Sequence, residues 1–147
     1  VDVNDAYGQY RESETFEAGN AIKVIDIQTV RLGLSICYDL RFPELYRSLR
    51  LAGANVLVIP AAFTKATGRA HWEVLLRARA IETQSYVIAA NQVGVHSNQR
   101  ETWGHSMIID PWGEIITEIK KGAGVCSASL DLERLNEIRA SMPLCFQ

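Results

Sequence analysis

The sequence predicts an α/β fold, and three observations predict it. Two stretches near the start alternate apolar with polar residues, two nearly unbroken apolar runs of strand length follow, and segments of helical period lie between and after them. With 147 residues, 48% of them hydrophobic, the chain has material for one core over residues 1–147.

Residues 1–20 are polar and rich in Asp, Glu, Gly and Asn, which predicts an irregular lead-in. Ala21–Ile27 and Val30–Ile36 alternate as half-buried strands do, and the second delivers the chain to Cys37. Phe42-Pro43-Glu44 then opens a helix, because proline in a first turn removes an N–H that has no helical acceptor anyway. Leu45, Leu49 and Ala52 continue its apolar face, and Gly53 closes it. Asn55–Ile59 has the near-continuous apolar character of a strand covered on both faces.

Phe63 to Ala70 predicts a loop with Gly68 as its breaker. His71–Gln84 predicts a second helix, with Trp72, Leu75, Leu76 and Ala80 on one stripe and Arg77, Arg79 and Glu82 largely elsewhere. Tyr86–Ala90 is the next buried strand. After a polar loop through Arg100, Ser106–Ile119 divides into two strands at Asp110-Pro111-Trp112-Gly113, a set suited to a tight turn. Val125–Leu130 predicts a further strand. Asp131 is placed to cap a last helix carrying Leu132, Leu135 and Ile138, ended by Pro143.

Composition removes several classes of function. The net charge of −2 comes from 15 basic and 17 acidic residues with no run of one sign, so no nucleic-acid partner is indicated. The longest apolar runs fall far short of the roughly 20 residues that span a bilayer, so no membrane segment is predicted. The first residues, Val-Asp-Val-Asn-Asp, carry neither Met nor a signal segment, which predicts a processed chain or a fragment. Cys37, Cys126 and Cys145 form no CxxC pair, so neither a disulfide framework nor a zinc site is expected and a reducing cytoplasm fits.

Cys37 is the candidate nucleophile. It lies where a strand gives way to a helix, in Gly33-Leu34-Ser35-Ile36-Cys37-Tyr38-Asp39-Leu40-Arg41-Phe42-Pro43-Glu44. Such a junction exposes a nucleophile at a strand end, and the backbone N–H of Tyr38 then faces the oxyanion of an attacked carbonyl. The alternative is a small buried thiol without chemistry. Phe63, Thr64 and Thr67 follow a strand's C-terminal end, the rim where α/β folds bind ligands, and are candidates to contact substrate. Arg41 is expected to pair with Glu44 or Asp39. Glu73 either complements the helix dipole and pairs with Arg77 or supports the site. His71, His96 and His105 open a rival Cys–His mechanism, with His105 at the start of a strand the best placed of the three.

The sequence resembles the nitrilase superfamily of carbon-nitrogen hydrolases, in its amidase branch. The matching pieces are the segment Ile36–Glu44, Pro60-Ala61-Ala62-Phe63, Ala70-His71-Trp72-Glu73 with Arg77–Glu82, Trp103-Gly104-His105-Ser106 and Asp110-Pro111-Trp112-Gly113. The resemblance implies the C-terminal portion of a four-layer αββα sandwich, and hydrolysis of a small linear amide to a carboxylate and ammonia. It implies Cys37 as nucleophile and Glu12 as a supporting acid beside it, where composition alone suggests a solvated carboxylate. The family's Glu base and Lys match no residue here, so these residues alone are expected to be inactive. No metal or organic cofactor is implied, and a homodimer or higher oligomer is, built on the helices near Pro43 and His71. A non-catalytic assembly module is the remaining alternative.

Overall fold

The most apolar stretches form three parallel strands at the centre of a six-stranded sheet. The structure is a computed structural model and describes residues 2–5, 8–96 and 99–145. A hairpin, β1 (Asp2–Asp5) and β2 (Gly8–Arg11), comes first and leads into a 3-10 turn at Glu12–Glu14. This corrects the expected irregular lead-in over its first half, while residues 15–22 carry no helix or strand, as expected. The hairpin's backbone ladder needs no apolar side chains, and Asp2 fastens the end by accepting from the Ser13 N–H at 3.1 Å and hydroxyl at 2.7 Å.

β3 (Lys23–Ile27) and β4 (Val30–Leu34) pair antiparallel, and β4, β5 (Val56–Ala61) and β6 (Tyr86–Asn91) run parallel. Another hairpin, β7 (Val93–Val95) with β8 (Glu101–Trp103), stands outside this sheet. The strands β9 (Met107–Ile109) and β10 (Ile115–Glu118) complete it antiparallel, in the order β10-β9-β6-β5-β4-β3. Asp110 makes the turn between them by accepting from the N–H groups of Trp112 and Glu114. The β7–β8 hairpin lies in the stretch expected to be loop, where short strands without an apolar run leave little signal.

Helices α1 (Pro43–Leu51) and α3 (Glu73–Thr83) cover one face of the sheet. Leu57, Ile59, Val87, Ala89, Met107 and Ile109 meet Tyr46, Leu49, Trp72, Leu76 and Ala80 there, and all are at most 2% exposed. At roughly 1.5–3 kcal/mol per fully buried large side chain, this layer dominates the stability. Gly33 sits beneath α1, where a Cβ would stand 3.1 Å from those of Leu49 and Ala54. Among the described residues the opposite face carries one helix, α4 (Leu132–Ser141), which seats Leu135 and Ile138 and is capped by Asp131 accepting from Arg134 N–H at 2.9 Å. Arg139 ties α4 to the end of α3 by donating to the carbonyls of Gln84 and Ala54, and burial lowers its pKa to about 10, with Arg50 adding to the fall. Beyond α4 that face is open, with Ile25 47% and Ile27 52% exposed.

Three expectations fail here. Lys65 to Ala70, expected within the Phe63–Ala70 loop, is helical: α2 (Lys65–Thr67) and a π turn at Gly68–Trp72 run directly into α3. Gly68 is helical and buried, and it is glycine because a Cβ would lie 2.3 Å from that of Trp103. Val125–Leu130 carries no regular secondary structure and forms no strand, and Val125 is 96% exposed. Alternation does not distinguish a segment lying across a sheet from one hydrogen-bonded to its edge. Arg79, placed off the apolar stripe by periodicity, is 4% exposed.

Candidate active site

The parallel pairing of β4 with β5 carries the chain to a sharp change of direction at Cys37. Ser35 still pairs with β5, its N–H donating to Val58 O at 3.1 Å. Ile36 is extended, and Cys37 then takes φ +45°, in the left-handed region that a side chain disfavours. A 3-10 turn, Cys37–Arg41, follows before α1 begins. The expected strand-to-helix junction therefore contains an added tight turn. Asp39 stabilises it by accepting from the Ile36 N–H at 2.8 Å. Strain of this kind costs on the order of 1–3 kcal/mol and persists only where surrounding contacts over-determine the backbone.

Cys37 is half-buried. Burial is the largest influence on its thiol and raises the pKa; a hydrogen bond from the Ala62 backbone opposes this. Glu12 raises it further, Arg100 lowers it, and Asp39 raises it. The net direction is upward, which favours the neutral thiol. Glu12, one of the residues expected beside the nucleophile, is thus close enough to act on it electrostatically, and so is Arg100, which sequence reasoning missed. The Tyr38 N–H has no acceptor among the described residues and is available to an oxyanion.

Phe63 is 4% exposed, its ring 4.8 Å from that of Trp72, and its N–H donates to Asn91 Oδ1 at 2.9 Å. Asn91 also donates to Gly104 O at 2.7 Å, so one buried amide locks the ends of β5 and β6 together. Thr64 and Thr67 share a hydroxyl–hydroxyl hydrogen bond of 2.9 Å. Arg41 corrects an expectation. It pairs with neither Glu44 nor Asp39, and its guanidinium instead lies over the rings of Tyr38 at 5.4 Å and Phe63 at 5.3 Å, with His71 Nδ1 at 3.3 Å. Glu73 pairs with Arg77 at 3.6 Å and lines a cleft of about 290 Å³ with Trp103, His105 and Glu118. Neither that cleft nor a second of about 310 Å³ at Asn91, His96 and Gly122 is lined by Cys37.

Each histidine is engaged elsewhere. His105 meets Glu118 at 2.6 Å, His96 meets the Thr102 hydroxyl at 2.9 Å, and His71 meets Arg41. None of these contacts involves Cys37. Among the described residues no three His, Cys, Asp or Glu side chains gather as a metal ion requires, and no helix is long and apolar enough to cross a membrane.

The carbon-nitrogen hydrolase family model matches residues 2–140. Deaminated glutathione amidase of Yersinia enterocolitica is 49% identical over 98% of this chain and 50% of its own length. The crystal structure of the Caenorhabditis elegans NitFhit protein superposes with a TM-score of 0.85 at 45% identity, over 97% of this chain and 35% of that one. A mutant amidase from Nesterenkonia sp. AN1, in which acrylamide has added to the active-site cysteine, superposes at 0.74 with 28% identity, over 88% of this chain and 51% of that one. The chain thus spans about half the length of curated relatives it matches.

Proposed function

This chain belongs to the carbon-nitrogen hydrolase family, and on that premise we propose that the protein containing it is an amidase that uses Cys37 as its nucleophile. One observation carries this reading: Cys37 takes a left-handed backbone conformation just beyond the end of β4, and the Tyr38 N–H beside it has no acceptor among the described residues. The covalent adduct on the active-site cysteine of the Nesterenkonia relative supports it.

In the proposed reaction the Cys37 sulfur bonds to the amide carbonyl carbon as its proton is taken up. The Tyr38 N–H donates to the developing oxyanion. Collapse breaks the carbon–nitrogen bond, and the nitrogen leaves as amine or ammonia with the proton. A thioester remains. Water then attacks it, releasing the carboxylate and restoring the thiol. The raised thiol pKa calls for a base, and the family resemblance assigns that role to a Glu and oxyanion support to a Lys, neither matched in this sequence. Glu12 serves as the supporting acid, while Phe63, Thr64 and Thr67 stand at the substrate side and Glu73 supports the adjoining helix. The substrate class is a small amide, with deaminated glutathione the first to test because several relatives are amidases named for it.

The test is release of amine or ammonia by the full-length gene product from deaminated glutathione and a panel of linear ω-amides. No release from any of them contradicts the proposal. The Cys–His alternative makes a different forecast. His105→Ala should lower turnover only modestly, because the resemblance assigns the base to a Glu and not to a histidine; a loss near the ~10⁴-fold scale of a missing triad member, in a folded protein, would instead favour the alternative.

Assembly as a homodimer or higher oligomer through α1 and α3 is part of the same proposal, supported by the exposed Leu51, Val74 and Ile81 on these helices. Leu49 does not belong to that surface, since it is wholly buried. Val74→Glu should shift the full-length protein toward monomer in sizing measurements. A protein already monomeric before the change contradicts the assembly.

A further inference from the structure

We propose that Arg79 is a positioning residue for Cys37, holding the strained turn from its far end. The inference rests on Cys37 being the nucleophile. Arg79 is the charged group most deeply buried among the described core residues, at 4% exposure. Its Nε and Nη2 donate to a single acceptor, the carbonyl of Leu40, at 3.0 and 2.7 Å, and its Nη1 donates to Glu82 at 2.8 Å. The guanidinium also lies over the ring of Tyr46, 5.2 Å from the centroid.

Leu40 is the fourth residue of the turn that begins at Cys37. The other end of the turn is held independently: Asp39 accepts from the Ile36 N–H, and Ser35 Oγ is 2.8 Å from the Tyr46 hydroxyl and donates to Val58 O at 3.2 Å. Tyr46 thus touches both anchors, with its face on Arg79 and its hydroxyl on Ser35. A left-handed, non-glycine residue between two fixed points cannot relax by rotating its neighbours. Removing one anchor allows it to relax, and the sulfur then moves with respect to the Tyr38 and Ala62 N–H groups. Burying a guanidinium is costly unless it is fully paired, and the partners here are those that fix the turn.

A merely structural arginine lowers stability without changing the thiol. Arg50 provides the comparison, since it donates to the carbonyl of Thr83, the last residue of α3, and not to a residue of the turn. In Arg79→Lys the charge and one hydrogen bond remain but the fork is lost. Measured on the full-length gene product well below its melting temperature, kcat should fall by about 10²-fold, the scale of a misplacement near 1 Å, with KM little changed. A second arm does not depend on turnover. In a Cys126→Ser, Cys145→Ser background, the rate of Cys37 alkylation by iodoacetamide is followed against pH. Because burial is what raises the thiol most, loosening the turn should move the midpoint of that profile downward in Arg79→Lys and leave it in place in Arg50→Lys.

If Arg79→Lys shows wild-type kcat and midpoint, or if Arg50→Lys shifts both as far, the positioning role is overturned. If Arg79→Lys does not fold by circular dichroism, Glu82→Gln, which replaces the charged acceptor of Nη1 by a neutral one, must shift both readouts in the same direction by less; wild-type behaviour overturns the proposal. Turnover retained by Cys37→Ala would remove the nucleophile reading instead, and the alkylation arm would still report whether Arg79 holds the turn.

Discussion

Cys37→Ala in the full-length gene product should reduce amide turnover by on the order of 10⁶-fold, the scale observed when a hydrolase loses its nucleophile. Cys126→Ala and Cys145→Ala should keep most of it. The three thiols are in different surroundings, which is why they separate. Only Cys37 occupies a left-handed backbone position at a strand end. Cys126 lies in the irregular segment before α4, and Cys145 is exposed beyond it. A residual activity in the variant would have to come from oxyanion donors and substrate binding, which alone leave only about 10³–10⁴-fold over water in comparable enzymes. Full activity in the Cys37→Ala protein would sink the assignment.

Residues 1–147 expressed alone should turn over amides at least 10²–10³-fold more slowly than the full-length gene product, which is the cost of one lost oxyanion donor. The local electrostatics make the deficit larger. Burial, Glu12 and Asp39 together push the Cys37 thiol up, against the Ala62 N–H and Arg100. At neutral pH the sulfur therefore stays protonated, and a thiol without a base to take its proton is a poor nucleophile. The open sheet face at Ile25 and Ile27 should also bind a hydrophobic dye in the short chain and lose that binding in the full-length protein. Comparable turnover by the two would show that a complete catalytic set exists within these residues, with Glu12, Lys23 and His105 the groups to test.

Much of this was legible in the sequence, for identifiable reasons. Strands β4 to β6 and helices α1, α3 and α4 follow from apolar periodicity, and Pro43, Gly53 and Asp131 mark boundaries because each has a local backbone role. Cys37 was visible because it precedes a helix start signal. Several of the failures share a cause, a partner distant in sequence. Gly68 reads as a breaker until Trp103, 35 residues later, is seen to fill the space a Cβ would need. Arg79 reads as a surface charge until the Leu40 carbonyl is found beneath it. Arg41 was expected to find a carboxylate one turn away, but two aromatic rings brought together by the fold took it instead. The hydrogen bonds of Asn91, between β6 and the segments at Phe63 and Gly104, likewise have no local signature.

The most direct measurement is of the covalent intermediate. The full-length gene product is mixed with an amide substrate, quenched in acid during turnover, digested and examined by mass spectrometry. The account predicts an added acyl mass on the peptide containing Cys37, absent without substrate and absent in Cys37→Ala. An acyl group on Cys126, Cys145 or another residue, or steady turnover with no acyl mass on Cys37 under conditions that trap thioesters, would contradict it.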